Sequence, residues 1–80
     1  MGSIRTIEEL FGKQVATLRH RLGISQEELA YRAGLHRTHV SQIERGLKSP
    51  TLRVIVKLAH ALEYSAQKLV AAVERRLVKN

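Results

Sequence analysis

Apolar residues recur along most of this chain at intervals of three and four, the spacing that lines one face of an α-helix. From Thr6 onward, Ile7, Leu10, Phe11, Val15, Leu18 and Leu22 fall on one such face and are expected to be core. Thr6-Ile7-Glu8-Glu9 has the form of a capping box, in which the threonine hydroxyl and the Glu9 carboxylate each satisfy an orphan amide. A second short helix is predicted from Gln26 to about Ala33, with Leu29, Ala30 and Ala33 turned inward and Ser25-Gln26-Glu27-Glu28 as its capping box. A third runs from about Arg37 to Arg45 on Val40 and Ile43. Pro50 ends a loop, Thr51 caps a fourth helix to Leu62, and Ser65 caps a fifth running towards Lys79. The fourth helix has Leu52, Ile55, Leu58, Ala59 and Leu62 as its expected core stripe, with Val54, Val56 and Ala61 off it. Arg75, Arg76 and Lys79 suit the negative end of the fifth helix. No alternating run is long enough for a strand. The prediction is an all-α, five-helix domain.

The same dipeptide, glycine then an aliphatic residue, follows three successive helices: Gly23-Ile24, Gly34-Leu35 and Gly46-Leu47. A left-handed glycine stops a helix, and the aliphatic residue folds back over the last turn. The connections are therefore short, and the second and third helices form a helix-turn-helix.

The third helix has a second stripe. Thr38, Ser41, Gln42 and Arg45 stand at i, i+3, i+4 and i+7, which places hydroxyl, amide and guanidinium groups along one face. A solvated helix side has the same appearance. The alternative is a helix that offers these donors and acceptors to base edges in a DNA major groove.

Charge changes that balance. Fourteen Lys and Arg stand against seven acidic residues, all glutamates, for a formal net charge of +7 in 80 residues. A chain this basic is expected to meet polyanions. Between Arg37 and Lys57 the excess sharpens: Arg37, Arg45, Lys48, Arg53 and Lys57 face only Glu44. There is no cysteine, hence neither a disulfide framework nor a Cys-based zinc site, and a cytoplasmic location is expected. His36 and His39 are too few ligands for a metal. The glutamates lie mostly in caps, so no catalytic residue and no cofactor is expected. No apolar run approaches a membrane span. Residues 1–5 read as a flexible terminus or cloning remnant, ahead of one domain over residues 6–79.

Taken together, Leu18-Arg19, the run GISQEELAYRAGLHRTHVSQIERG and the following SPTLRVIVKLAHAL resemble the lambda-repressor/Cro-like, or XRE-type, helix-turn-helix family. The match covers roughly residues 7 to 70. In size and in the run RTHVSQIERG it is most similar to restriction–modification controller proteins, small dimeric regulators of their own operons. The resemblance implies sequence-specific DNA binding and transcriptional regulation by a homodimer on a pseudo-palindromic operator. The alternative it leaves is an antitoxin-type module that binds a toxin protein and autoregulates its operon.

Carried onto this chain, the family pattern puts Gln26 on a phosphate at the start of the second helix. It puts Arg37, Thr38, Ser41 and Gln42 at the recognition-helix contact positions, and Arg45, Lys48, Ser49 and Thr51 on phosphates beyond them. His39 is expected to contact the DNA backbone or a base, the alternative being that it packs against the second helix, and a protonated His36 could meet a phosphate. Arg suits guanine O6 and N7, and Gln suits adenine N6 and N7. Arg19 and Glu44 match a structural ion pair of the family, so Glu44 is left out of the DNA site. His36 stands where the family places a small capping residue and is itself a poor cap. The surplus apolar surface of the last two helices points to an interface, with Val54, Val56, Leu69, Val70, Val73 and Leu77 as the dimerisation residues; the alternative is that the fifth helix only packs across the first and fourth. An activating contact with RNA polymerase would fall on Glu27, Glu28 and Arg32.

Overall fold

The computed structural model describes residues 6–79, so the reading of residues 1–5 as a flexible terminus lies outside it. Among the described residues there are five helices and no strand: α1 Ile7–Leu22, α2 Gln26–Ala33, α3 Arg37–Glu44, α4 Leu52–Ala61 and α5 Ala66–Lys79. None is long and apolar enough to cross a membrane.

The helix starts follow their capping residues. Thr6 Oγ1 accepts from Glu9 N and Glu9 Oε1 accepts from Thr6 N, both at 3.0 Å, closing the first box. Only half of the second expected box forms. Ser25 Oγ accepts from Glu28 N at 3.0 Å, but the Glu28 carboxylate turns forward to Arg32 Nε at 2.9 Å, one helical turn on. Thr51 caps α4 through Val54 N at 3.2 Å, and Ser65 accepts from Lys68 N at 3.3 Å.

The helix ends share one device. Gly23, Gly34 and Gly46 are left-handed, with φ of 71°, 68° and 75°. After each, the next amide reaches back five residues: Ile24 to Arg19, Leu35 to Ala30 and Leu47 to Gln42. This is the Schellman arrangement, which satisfies carbonyls the helix leaves open. α4 closes the same way without a glycine. Tyr64 N donates to Ala59 O at 2.9 Å, and Glu63 takes the left-handed position at φ 56°. No glycine marks this stop, so the sequence shows only a linker there. Leu47 does not cover its turn as expected; it stays exposed.

Val15, Leu29, Val40, Ile43, Leu58 and Leu69 are fully enclosed, so α1 to α5 each supply at least one residue to a common core. Each such side chain contributes about 1.5–3 kcal/mol relative to leaving it in water. Two ends of the predicted α1 stripe fall outside: Ile7 is 52% exposed and Leu22 39%. On α4 the stripe is rotated. Val54, Leu58, Ala61 and Leu62 are buried together with Ala59, whereas Leu52 is 78% exposed. Val54 and Ala61 are thus core and Leu52 is surface, the reverse of expectation. α4 is apolar round much of its circumference, so residue size alone picks the wrong one of two overlapping stripes.

Candidate nucleic-acid interface

α3 sits on α1 and α2, and its seat depends on two glycines. A Cβ on Gly12, buried in mid-α1, would overlap the carbonyl oxygens of Ile43 and Glu44 at the end of α3. A Cβ on Gly46 would come within 2.6 Å of Glu9 Cγ and 2.8 Å of Glu9 Cα. The backbone at the end of α3 therefore lies directly against α1. Gly12 is not among the residues expected above to matter. Its signal was present: a glycine inside a helix costs about 1 kcal/mol relative to alanine, so one sitting there points to a close approach.

The same end of α3 is locked by an ion pair. Arg19 Nε donates to Glu44 Oε2 at 2.7 Å and Nη2 to Oε1 at 3.0 Å. Arg19 Nη1 also donates to the Ile24 carbonyl at 2.9 Å. The two side chains are only 11% and 6% exposed. This bidentate fork fixes orientation as well as distance, and it ties α1, the α1–α2 turn and α3 together. It bears out the pairing that the family resemblance implied. Gln26 joins it: its Nε2 donates to Glu44 Oε1 at 3.0 Å. One amide proton of the proposed phosphate ligand is thus committed to Glu44, leaving the second for an anion.

With Val40 and Ile43 fully buried, the other side of α3 is what the domain presents. At about 100° per residue, Thr38, Ser41, Gln42 and Arg45 centre roughly half a turn from the buried pair, with Arg37 and His39 on the flanks. Arg37, Thr38 and Arg45 are exposed, and His39, Ser41 and Gln42 are half-buried. Arg45 Nε lies 3.4 Å from the Ser41 carbonyl. The helix begins at Arg37, and His36 makes no side-chain cap; the His36 carbonyl instead accepts from His39 N and Val40 N at 3.0 and 3.2 Å. Beyond α3, Lys48, Ser49 and Thr51 are exposed on the loop that leads to α4. The hydroxyl of Thr51 is also the α4 cap.

The predicted dimerisation residues divide. Val56, Val70 and Leu77 are exposed, but Val54, Leu69 and Val73 are buried within the protomer. Those three belong to the core of this chain and offer little or no surface to a second copy. Leu52, which was not in the predicted set, shares an exposed side of α4 with Val56, one turn apart. Ile7, Phe11, Pro50, Ile55, Val70 and Val73, with Glu8 and Ser49, line a mainly apolar hollow of about 130 Å³. On α2, Arg32 is paired with Glu28 at 2.9 Å and approaches Glu63 at 3.9 Å, so two of the three residues expected to face a polymerase are engaged with each other.

Residues 15–69 match the family model described as Helix-turn-helix. The chain is 39% identical to control protein C.SmaI of Serratia marcescens over 64 residues, covering 80% of this chain and 76% of that protein. It is 44% identical to control protein C.BamHI of Bacillus amyloliquefaciens over 57 residues, 70% of each. The crystal structure of the restriction-modification controller protein C.AhdI from Aeromonas hydrophila superposes with a TM-score of 0.76 at 40% identity, covering 78% of this chain and 94% of that one.

Proposed function

The chain belongs to the helix-turn-helix family, and we propose that within it this protein is a controller-type transcriptional regulator that reads a pseudo-palindromic DNA operator as a homodimer. One observation carries the reading. The side of α3 left uncovered by the core is lined with hydroxyl, amide and guanidinium side chains, and the helix bearing it is clamped at its far end by Gly12 and the Arg19–Glu44 fork. A rigid helix with a polar outer face is what insertion into a major groove requires.

Arg37, Thr38, Ser41 and Gln42 read base edges, with His36 and His39 beside them. Gln26, Arg45, Lys48, Ser49 and Thr51 hold phosphates and set the register of the helix without reading sequence. The interface between protomers is the exposed apolar strip of Leu52 and Val56 on α4 and Val70 and Leu77 on α5. Two recognition helices related by that interface engage half-sites about 34 Å apart. The direction of control follows from where the operator lies relative to a promoter. An antitoxin role draws no support from the control proteins described above.

Selection on random duplex DNA, followed by titration across a salt series, tests the proposal. Arg37→Ala or Gln42→Ala is expected to weaken operator binding by about 1–3 kcal/mol and relax preference at one position of each half-site. Lys48→Ala is expected to weaken all sequences alike and to lower the salt slope by about one. A salt-independent affinity, or unchanged specificity in both recognition-helix variants, would rule out this use of α3. For the interface, Val70→Glu is expected to sediment as a folded monomer. A wild type that is monomeric at every concentration refutes the dimer.

A further inference from the structure

A second basic site lies away from both surfaces described above. Arg21 on α1 and Arg75 and Arg76 on α5 surround a cavity of about 370 Å³, completed by Gln14, Thr17, Ala72 and Tyr64. Among the described residues, no carboxylate lies within ion-pairing distance of these three arginines; the pairs that form involve only Arg19 and Arg32.

Its position follows from helix geometry. At about 100° per residue, Gln14, Thr17 and Arg21 lie roughly half a turn round α1 from Gly12 and Arg19, the residues that hold α3. On α5, Ala72, Arg75 and Arg76 likewise lie nearly half a turn from Val70 and Leu77. The cavity therefore faces away from the recognition helix, and a dimer built on Val70 and Leu77 leaves it open.

Ordinary helix electrostatics account for part of this charge. Arg21 is in the last turn of α1, and Arg75 and Arg76 approach the end of α5, where cations offset the helix dipole. Each helix end is equivalent to about half a negative charge. Three guanidiniums against two such ends leave an excess of roughly two positive charges around one hollow. Hydroxyl and amide donors stand beside them on Thr17 and Gln14, and Tyr64 is half-buried at the rim. The volume lies within the range of about 300–1,000 Å³ typical of small-ligand pockets.

We propose that this cavity binds a phosphate-bearing small molecule, with the arginines holding the phosphate oxygens and Tyr64 lying against the rest of the ligand. A concave cluster surrounds one compact anion. A duplex would instead call for a basic ridge extended along its backbone.

The test is a titration of the full, DNA-free chain with inorganic pyrophosphate and with ADP, followed by calorimetry and by amide chemical shifts. Saturable binding of one equivalent per protomer is expected, with shifts centred on Gln14, Thr17 and Ala72. ADP is expected to bind more tightly than pyrophosphate because Tyr64 lies against its nucleoside, and Tyr64→Leu removes that margin. Arg21→Gln combined with Arg75→Gln is expected to weaken both ligands by at least about tenfold, as loss of charge-assisted contacts implies. Both substitutions are at exposed positions, and an unchanged thermal melt verifies the fold. Arg37→Gln combined with Lys48→Gln is expected to leave binding intact. The proposal is overturned by shifts confined to α3 and Lys48, by equal affinity in the Arg21/Arg75 variant, or by no saturation at millimolar ligand. It is also overturned if a short duplex, rather than either small anion, saturates this cavity in the Arg37/Lys48 variant.

Discussion

α2 and α3 are adjacent, each eight residues long, and closed by the same glycine-aliphatic stop, yet they differ in their caps and in the charges at their ends. α2 is capped by Ser25, carries Glu27 and Glu28 in its first turn and Arg32 in its last, and pairs Glu28 with Arg32. Each feature suits the helix dipole. α3 has no side-chain cap, starts on Arg37 and ends on Glu44, so its terminal charges oppose its dipole. A helix of this length is marginal in water in any case. What holds α3 is tertiary: Val40 and Ile43 in the core, its C-terminal backbone against Gly12, and Glu44 gripped by Arg19 and Gln26. α3 thus gives up local stability and depends on its tertiary anchors. Its uncapped, positively charged start would suit the phosphate contact proposed above.

That contrast is most directly broken at Glu44. Glu44→Ala removes the anchor and strands Arg19, whose side chain is nearly covered. A loss of about 3 kcal/mol in urea unfolding is expected, against no more than about 0.5 kcal/mol for Glu28→Ala in the exposed pair on α2. Gly12→Ala comes next. On an exposed helical site the change would stabilise by about 1 kcal/mol. Here the added methyl meets two backbone oxygens, and a loss of about 2–3 kcal/mol is expected, with α3 displaced. Ser25→Ala is expected to cost about 1 kcal/mol through the lost cap of α2. The smallest effect sharpens the comparison most. His36→Asp supplies α3 with the cap it lacks and is expected to raise stability by about 0.5–1 kcal/mol. It also places a carboxylate where a phosphate is expected, so operator affinity should fall while the melting temperature rises. A variant that gains both stability and affinity would show that the missing cap has no functional meaning.

How legible these parts were depends on how local their causes are. Thr6, Ser25 and Thr51 act on amides three residues away, and the glycine stops on carbonyls five residues back. Such short-range chemistry can be read from spacing. The exposed stripe of α3 was legible for the same reason, because a helix fixes which residues share a face. Arg19 and Glu44 are 25 positions apart, and only the family resemblance paired them. Gln26 was given to DNA, yet it also bonds to Glu44. The dimer residues failed at Val54, Leu69 and Val73 because apolarity says that a residue avoids water without saying whether its own chain or a partner covers it.

The sequence by itself determined five helices, their caps and stops, the basic excess and the polar outer face of α3, since all of these rest on contacts within a turn or on composition. Only the tertiary structure decided which side of α4 turns inward and why α1 needs a glycine against the end of α3. It likewise placed Arg21 beside Arg75 and Arg76. These depend on which helix approaches which, and at what distance. That is set by the joint packing of five faces, and no single helix contains the information.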